Sequence, residues 1–223
     1  YIINPNIRDE NGYTLDIGIR GNILNSIYYD ITSFNLMYKD RIGLVQKLQA
    51  DNNIKAERGN IGDANILGIE TLIDINLQKI IPKDIRCKYY INSSFTESSY
   101  TSSEANGIVG KKVEFVPRIN LKNGLTIGYK NITSTIQYTY LSEQFTDATN
   151  SVESNISGVI GEIPEYDIVD LSILSEFNKY RIELGINNLL NKAYFTRRAT
   201  GYPGPGIIPS PARNYYITLD LKL

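Results

Sequence analysis

"GYTLDIGIR", residues 12 to 20, places Tyr13, Leu15, Ile17 and Ile19 at alternate positions with Thr14, Asp16, Gly18 and Arg20 between them. A period of two marks a β-strand whose two faces meet different media, because successive side chains point to opposite sides of a sheet. The pattern recurs. "NILGIETLIDINL" (65–77) sets Leu67, Ile69, Thr71, Ile73, Ile75 and Leu77 against Gly68, Glu70, Asp74 and Asn76. "IRCKYYINSSF" (85–95) sets Ile85, Cys87, Tyr89, Ile91 and Phe95 against Arg86, Lys88, Asn92 and Ser94. Further strands are predicted over 26–42, 119–129, 132–141, 168–177, 180–189 and 213–223, nine in all and no helix. In 26–42 the apolar spacing is carried by Phe34, Leu36 and Tyr38, and a slip at Tyr28 and Tyr29 predicts a bulge.

Alternation by itself favours a soluble β-sandwich, in which one face packs on a core and the other meets water. The connections reverse that. Short links (21–25, 78–84, 130–131, 178–179) alternate strictly with long ones (43–64, 96–118, 142–167, 191–212), so all tight turns lie at one end of the sheet and all long loops at the other. Such a division belongs to outer-membrane barrels, with short periplasmic turns and longer extracellular loops. The chain also ends on a strand, with Leu221 and Leu223 in the outward phase. Tyrosines number 17, with no Trp, and Tyr13, Tyr28, Tyr29, Tyr129, Tyr166, Tyr180, Tyr215 and Tyr216 lie near strand ends, where an interfacial girdle is expected. The charges Asp16, Arg20, Glu70, Asp74, Arg86, Lys88, Lys122, Arg181 and Glu183 are expected on the inner face, since lipid exposure of a midplane Arg or Lys costs about 2–4 kcal/mol.

Composition narrows the functions. With 23 basic and 24 acidic residues there is no basic footprint, which excludes nucleic acid as a partner. Histidine is absent, which removes the commonest general base and the commonest transition-metal ligand, so neither His-dependent hydrolysis nor a resident metal cofactor is expected. The lone Cys87 allows no internal disulfide and reads as a packed residue. Paired carboxylates for acid–base work are not evident. No apolar run approaches the roughly 18–20 residues of a membrane helix, and Tyr1 opens no secretory signal. Nine is an odd number and cannot close a single-chain bacterial barrel. Residues 1–223 are therefore expected to be the C-terminal portion of a longer barrel, and "YIINPNIRDE" (1–10) the tail of an extracellular loop.

Six stretches in this order, "NPNIRDENGYTLDIGIRG", "YYDITSFNLMYKDRIG", "IGDANILGIE", "YTYLSEQFTDATN", "LGINNLLNKAYFTRRATGYPGPGIIPS" and "NYYITLDLKL", resemble the C-terminal barrel of TonB-dependent outer-membrane receptors. "RRATGYPGPGIIPS" is similar to the ferric citrate receptors of Bacteroidetes-type bacteria. The resemblance implies an all-β fold: an antiparallel transmembrane β-barrel, here about nine C-terminal strands of a 22-stranded cylinder whose plug lies outside this chain. It implies a transport receptor in the outer membrane of a Gram-negative cell and not an enzyme. Its partners would be ferric citrate or another iron chelate, the TonB complex through a missing N-terminal part, and outer-membrane lipid and lipopolysaccharide. Iron would be cargo held in its chelate, with no cofactor. Family members usually end on an aromatic residue, whereas this chain ends on Leu223.

Candidate ligand contacts follow. Arg197 and Arg198 stand together in the last long loop, beside Tyr202 and prolines that restrict the loop, and a guanidinium suits bidentate carboxylate recognition. The same pair would serve equally for lipopolysaccharide phosphates, for neighbouring loop carboxylates or as solvated charge. Glu143, Gln144, Thr146 and Asp147, above another strand end, are placed to line the mouth or to hydrogen-bond their own loop. Gly204-Pro205-Gly206 is no phosphate loop, because proline deletes backbone donors. Other cargo (a different siderophore, cobalamin or an oligosaccharide) remains open. So do two further classes: a secreted β-sandwich adhesin or glycan-binding module, and an outer-membrane hydrolase whose catalytic group lies elsewhere.

Overall fold

A computed structural model describes residues 2–48, 54–201 and 204–221. In chain order the strands are β1 (Ile2–Ile3), β2 (Asn11–Ile23), β3 (Ile27–Leu48), β4 (Ile54–Asn76), β5 (Ile85–Ser102), β6 (Ile119–Tyr129), β7 (Ile132–Leu141), β8 (Gln144–Phe145), β9 (Glu162–Ile163), β10 (Tyr166–Phe177), β11 (Tyr180–Asn187), β12 (Phe195–Ala199), β13 (Gly206–Pro209) and β14 (Asn214–Leu221). Ten of them form one sheet: nine run in the order β14-β11-β10-β7-β6-β5-β4-β3-β2, each antiparallel to the next along this path, and β1 pairs in parallel with β4. The nine along the path are the strands expected. β8 pairs with β9 and β12 with β13 in two small sheets within the long connections.

Following the ladder sideways fixes the faces. The row Arg20, Asp30, Leu72, Asn92, Lys122, Thr139, Ile168 crosses seven strands with each residue directly opposite the next. Directly paired residues share a face and strand neighbours alternate, so all nine charges singled out above share that face. The opposite face is apolar and bare: Leu15, Ile17, Ile19, Leu67, Ile69, Ile127, Ile136, Ile173, Leu184, Ile217 and Leu219 are all exposed, Ile17 and Ile217 at 70% and 72%. Among the described residues no second layer covers it. An apolar face of this extent, backed by a polar one, is the outer surface of a lipid-facing barrel wall.

Close cross-strand packing needs glycine at two inner positions. The ring of Tyr90 lies over its partner Gly124 and that of Tyr216 over Gly185; a Cβ on either glycine would come within 2.4 and 2.0 Å of the ring.

Three expectations are corrected. The register is continuous through Tyr28 and Tyr29; the irregularity lies between Tyr38 and Ile42, where β3 leaves the body of the sheet. Phe34, Leu36 and Tyr38 face inward, opposite Asp16, Thr14 and Gly12, because the apolar residues of β3 change face along the strand. Tyr28, Tyr166 and Tyr216 likewise sit on the inner face, opposite Asn22, Leu141 and Gly185, which leaves Tyr13, Tyr29, Tyr129, Tyr180 and Tyr215 for the outer girdle.

The long links are also more regular than expected. β3 has 22 residues and β4 has 23, roughly 70 Å of strand, where about 9–11 residues cross a bilayer. The upper halves of this hairpin, and of β5, rise beyond the membrane band. β5 pairs with β4 only as far as Asp63, and β1 then lies parallel against Glu57 and Arg58 on the edge left open. The opening segment therefore packs against the loop end, where an extracellular loop was expected. There the inner face carries the main apolar cluster: Ile61, Ala64, Ile66 and Tyr100 with Ile108, Val113 and Ala148 of the loops, packed on Phe34, Leu36 and Tyr38.

Candidate functional site

At the loop end the connections fold inward over β3–β5 and tie to one another. Phe115 donates its backbone N–H to the Phe145 carbonyl (3.0 Å), while Asn150 accepts from the Lys112 N–H (2.7 Å) and donates to the Lys112 carbonyl (2.8 Å). Lys112 Nζ meets Glu143 at 2.8 Å, and this contact holds the Glu143 carboxyl below the usual range. Ser103 Oγ donates to the Ile61 carbonyl at 2.5 Å, joining the 103–118 loop to β4.

The residues flagged in "SEQFTDATN" are part of this scaffold. Gln144 is buried in β8. Thr146 Oγ1 donates to the Gly161 carbonyl (2.9 Å) and accepts from the Gly161 N–H (3.0 Å). Asp147, 1% exposed, accepts from the backbone N–H of Thr149 and of Ser151 (3.1 Å each), from Ser151 Oγ and from the Thr149 hydroxyl. A carboxylate so enclosed closes its own turn.

Alternation along β12 sends Arg197 and Arg198 to opposite sides. Arg198 reaches the 142–165 loop: Nε and Nη2 donate to the Glu162 carbonyl (3.2 and 2.7 Å), Nη1 donates to the Gly158 carbonyl (2.8 Å), and the guanidinium stacks over Phe195. It locks the last two long connections together. Arg197 is exposed and, among the described residues, in no ion pair. Tyr202 lies outside the described residues. The root of this last loop is set by Asn188, buried and at positive φ, whose amide donates to the Lys192 carbonyl (2.8 Å) and accepts from the Lys192 N–H (2.9 Å).

Where these pieces meet, a hollow of about 300 Å³ opens, lined by Arg41, Gly43, Arg58, Glu114, Phe115, Thr146 and Thr200. Arg41 Nη1 donates to Tyr100 Oη and to Glu114 Oε2, both at 2.6 Å, and Tyr100 Oη donates to the same carboxylate oxygen at 2.6 Å. The Glu114 side chain is 5% exposed, so its charge is viable only because Arg41 and Tyr100 satisfy it. Burial, then the neighbouring carboxylate, pushes the Tyr100 phenol, in the part of β5 above the membrane band, well above its ordinary pKa. Of this set, sequence reading found only Thr146. Arg41 and Tyr100 lie 59 positions apart, and Arg41 and Glu114 73, and no local motif joins them.

A second hollow of about 340 Å³ lies lower on the inner wall, beside Lys122, Gln137, Thr139, Asp170 and Thr196. Of the inner charges, Arg181 pairs with Glu183 (3.8 Å) and Asp220 (3.6 Å), and Arg86 donates to the Lys130 carbonyl. Among the described residues, Asp16, Arg20, Glu70, Asp74, Lys88 and Lys122 make no ion pair.

A two-faced antiparallel sheet, bare and apolar outside, polar within and roofed by inward-folded loops at one end, defines the wall of an outer-membrane β-barrel. The chain belongs to the family described as TonB dependent receptor-like, beta-barrel, whose pattern matches residues 1–189; this is a family of outer-membrane transport receptors, not of enzymes. Solved structures of similar fold include the ferric citrate transporter FecA in its unliganded form (19% identity, TM-score 0.76, 93% of this chain and 30% of that one). The ferric yersiniabactin uptake receptor FyuA from Yersinia pestis (17%, 0.69, 95% and 30%) and the copper transporter OprC (13%, 0.69, 96% and 32%) share it too. The chain thus spans about a third of the length of these proteins.

Proposed function

We propose that this chain is the C-terminal wall and loop set of an outer-membrane receptor that captures a ferric chelate, ferric citrate above others, and passes it inward with energy delivered through TonB. The observation that carries the reading is the pairing of a bare apolar outer face with a polar inner wall under loops that are locked in place. Such a mouth can discriminate cargo without doing chemistry on it, and iron travels as cargo inside its chelate. TonB engages a part of the receptor outside these residues, and the outer face meets lipid, with lipopolysaccharide at the level of the loops.

Ferric citrate is favoured by the likeness of "RRATGYPGPGIIPS" to ferric citrate receptors and by the exposed guanidinium of Arg197 within it, in no ion pair among the described residues and suited to a polyanionic chelate. The test is direct binding of ferric citrate to the full-length receptor in detergent, with a neutral ferric hydroxamate, cobalamin and a maltooligosaccharide as competitors. Saturable ferric citrate binding that none of the three displaces supports the reading; displacement by one of them, or no binding, reassigns the cargo.

A further inference from the structure

Arg41 reaches the buried Glu114 only because β3 carries one residue too many. Tyr38 pairs with Ala64 and Arg41 with Gly62, so Lys39 and Asp40 together oppose Asp63 alone. In an unbroken ladder Arg41, three places after the inward Tyr38, would leave on the outer face; the extra residue turns it inward, to Tyr100 and Glu114. Asp40, within this bulge, has φ 54°, a conformation uncommon outside glycine.

The backbone of the bulge is held by side chains from other segments, as groups taken out of a ladder must be. The Asp40 N–H donates to Asp63 (3.0 Å), the Asp40 carbonyl accepts from the Asn60 amide (2.6 Å), and the Ile42 N–H donates to Glu10 (2.7 Å). Asn60 pairs directly with Ile42, the strand neighbour of the inward Arg41, and so lies on the outer face. There its side chain also accepts from the Arg8 N–H (2.7 Å) and donates to the Arg8 carbonyl (2.9 Å). Asn4, which continues β1, donates its N–H to the Arg58 carbonyl at 2.9 Å. Residues 4–10 thus run from the edge of β4 across the outside of the β3–β4 pair to β2, tied down at Arg58, at Asn60 and at Ile42.

We infer that residues 4–10 are a strap that sets the face of Arg41, with Asn60 as its positioning residue, and that the strap is thereby coupled to the segment around Glu114 on the opposite face. Coupling of this kind needs an element with two arrangements. Here they are the bulged ladder, with Arg41 inside, and the straight one, with Arg41 outside. The bonds from Asn60 and Glu10 to the bulge belong to the first, and the Arg41–Glu114 pair, its carboxylate 5% exposed, exists only in the first.

The experiment is amide exchange on the unliganded full-length receptor in detergent, read at the hydrogen-bonded amides of Lys112, Val113 and Phe115. Asn60→Ala removes three side-chain bonds and speeds this exchange by about tenfold or more, with β6 and β7 unchanged. Asn4→Cys with Gly59→Cys, in a Cys87→Ser chain, works in the other direction. A Cβ on Gly59 would stand 3.1 Å from that of Asn4, close to the ~3.5–4.5 Å of a disulfide. Oxidation therefore staples the strap to β4 and slows the same amides by roughly threefold or more, and reduction undoes it. Adding Glu114→Ala abolishes the slowing, because the coupling runs through that carboxylate. Unheated gel mobility verifies that each variant folds; where Asn60→Ala does not, the staple alone decides. Unchanged exchange in folded Asn60→Ala or in the oxidised pair overturns the inference, and so does slowing that persists with Glu114→Ala. No ligand is present in any arm, so the result is independent of which chelate the receptor takes.

Discussion

Ile17 is the midpoint of the 13-residue β2 and 70% exposed, which makes it the sharpest probe of the medium around the sheet. Consider Ile17→Arg. If the face meets water, the change replaces an exposed apolar residue by an exposed charge and stability moves by no more than about 0.5 kcal/mol. If it meets hydrocarbon, an Arg near the bilayer midplane costs about 2–4 kcal/mol, or roughly 30- to 700-fold in the folding equilibrium. Asp16→Arg, one residue away on the inner face, is the control: it places the same side chain in a water-lined interior and costs less than about 1 kcal/mol. The assay is guanidinium unfolding of the full-length receptor in phosphatidylcholine vesicles, read as the folded fraction in unheated gels. A cost below about 0.5 kcal/mol for Ile17→Arg, or equal costs for the two variants, would refute the assignment of the apolar face to lipid.

Glu114→Ala leaves Arg41 charged and half-buried without its partner and costs the loop end about 3–5 kcal/mol, seen as faster amide exchange in 103–118 with little change in the lower strands. Gly124→Val drives a side chain into the Tyr90 ring and destabilises the barrel by about 1–3 kcal/mol; adding Tyr90→Ala recovers part of the loss, and independence of the two changes would contradict the packing described. Glu143 has its carboxyl pKa lowered by Lys112, so its contribution to loop order is whole above the ordinary glutamate value, about 4.3, and is lost as pH falls through the lower folded value. Lys112→Met removes that acid sensitivity, as protease susceptibility of the 142–165 loop between pH 3 and 5 will record.

Strands were legible because period two is a local property: Ile17 and Asp16 declare opposite faces without reference to any other strand. The upper parts of β3 and β4 were not, since residues 43–64 are polar and glycine-bearing and read as loop, yet a backbone ladder backed by β1 and by Ile61 in the apolar cluster holds 43–48 and 54–64 extended. Tyrosine placement failed for a similar reason. Proximity to a strand end says nothing of parity, and Tyr28 and Tyr29 point to opposite sides. Apart from Thr146 the hollow lay beyond reach, because Arg41, Tyr100 and Glu114 come together through the order of strands and the inward fold of a loop.

Hydropathy alone cannot assign a face in such a sheet, for apolar side chains occupy both sides of β3 and β4. What separates them is whether a partner exists. Phe34 and Leu36 pack against the buried cluster that Ile66 shares with loop residues such as Val113 and Ala148, so their burial is satisfied within the chain and holds the mouth in one shape. Leu67 and Ile69, on the other side of the same wall, belong to no buried cluster among the described residues and remain half exposed. Their transfer from water requires an apolar medium that the chain does not supply. The same residue types thus do two jobs, and the rigid mouth follows from the first as membrane residence follows from the second.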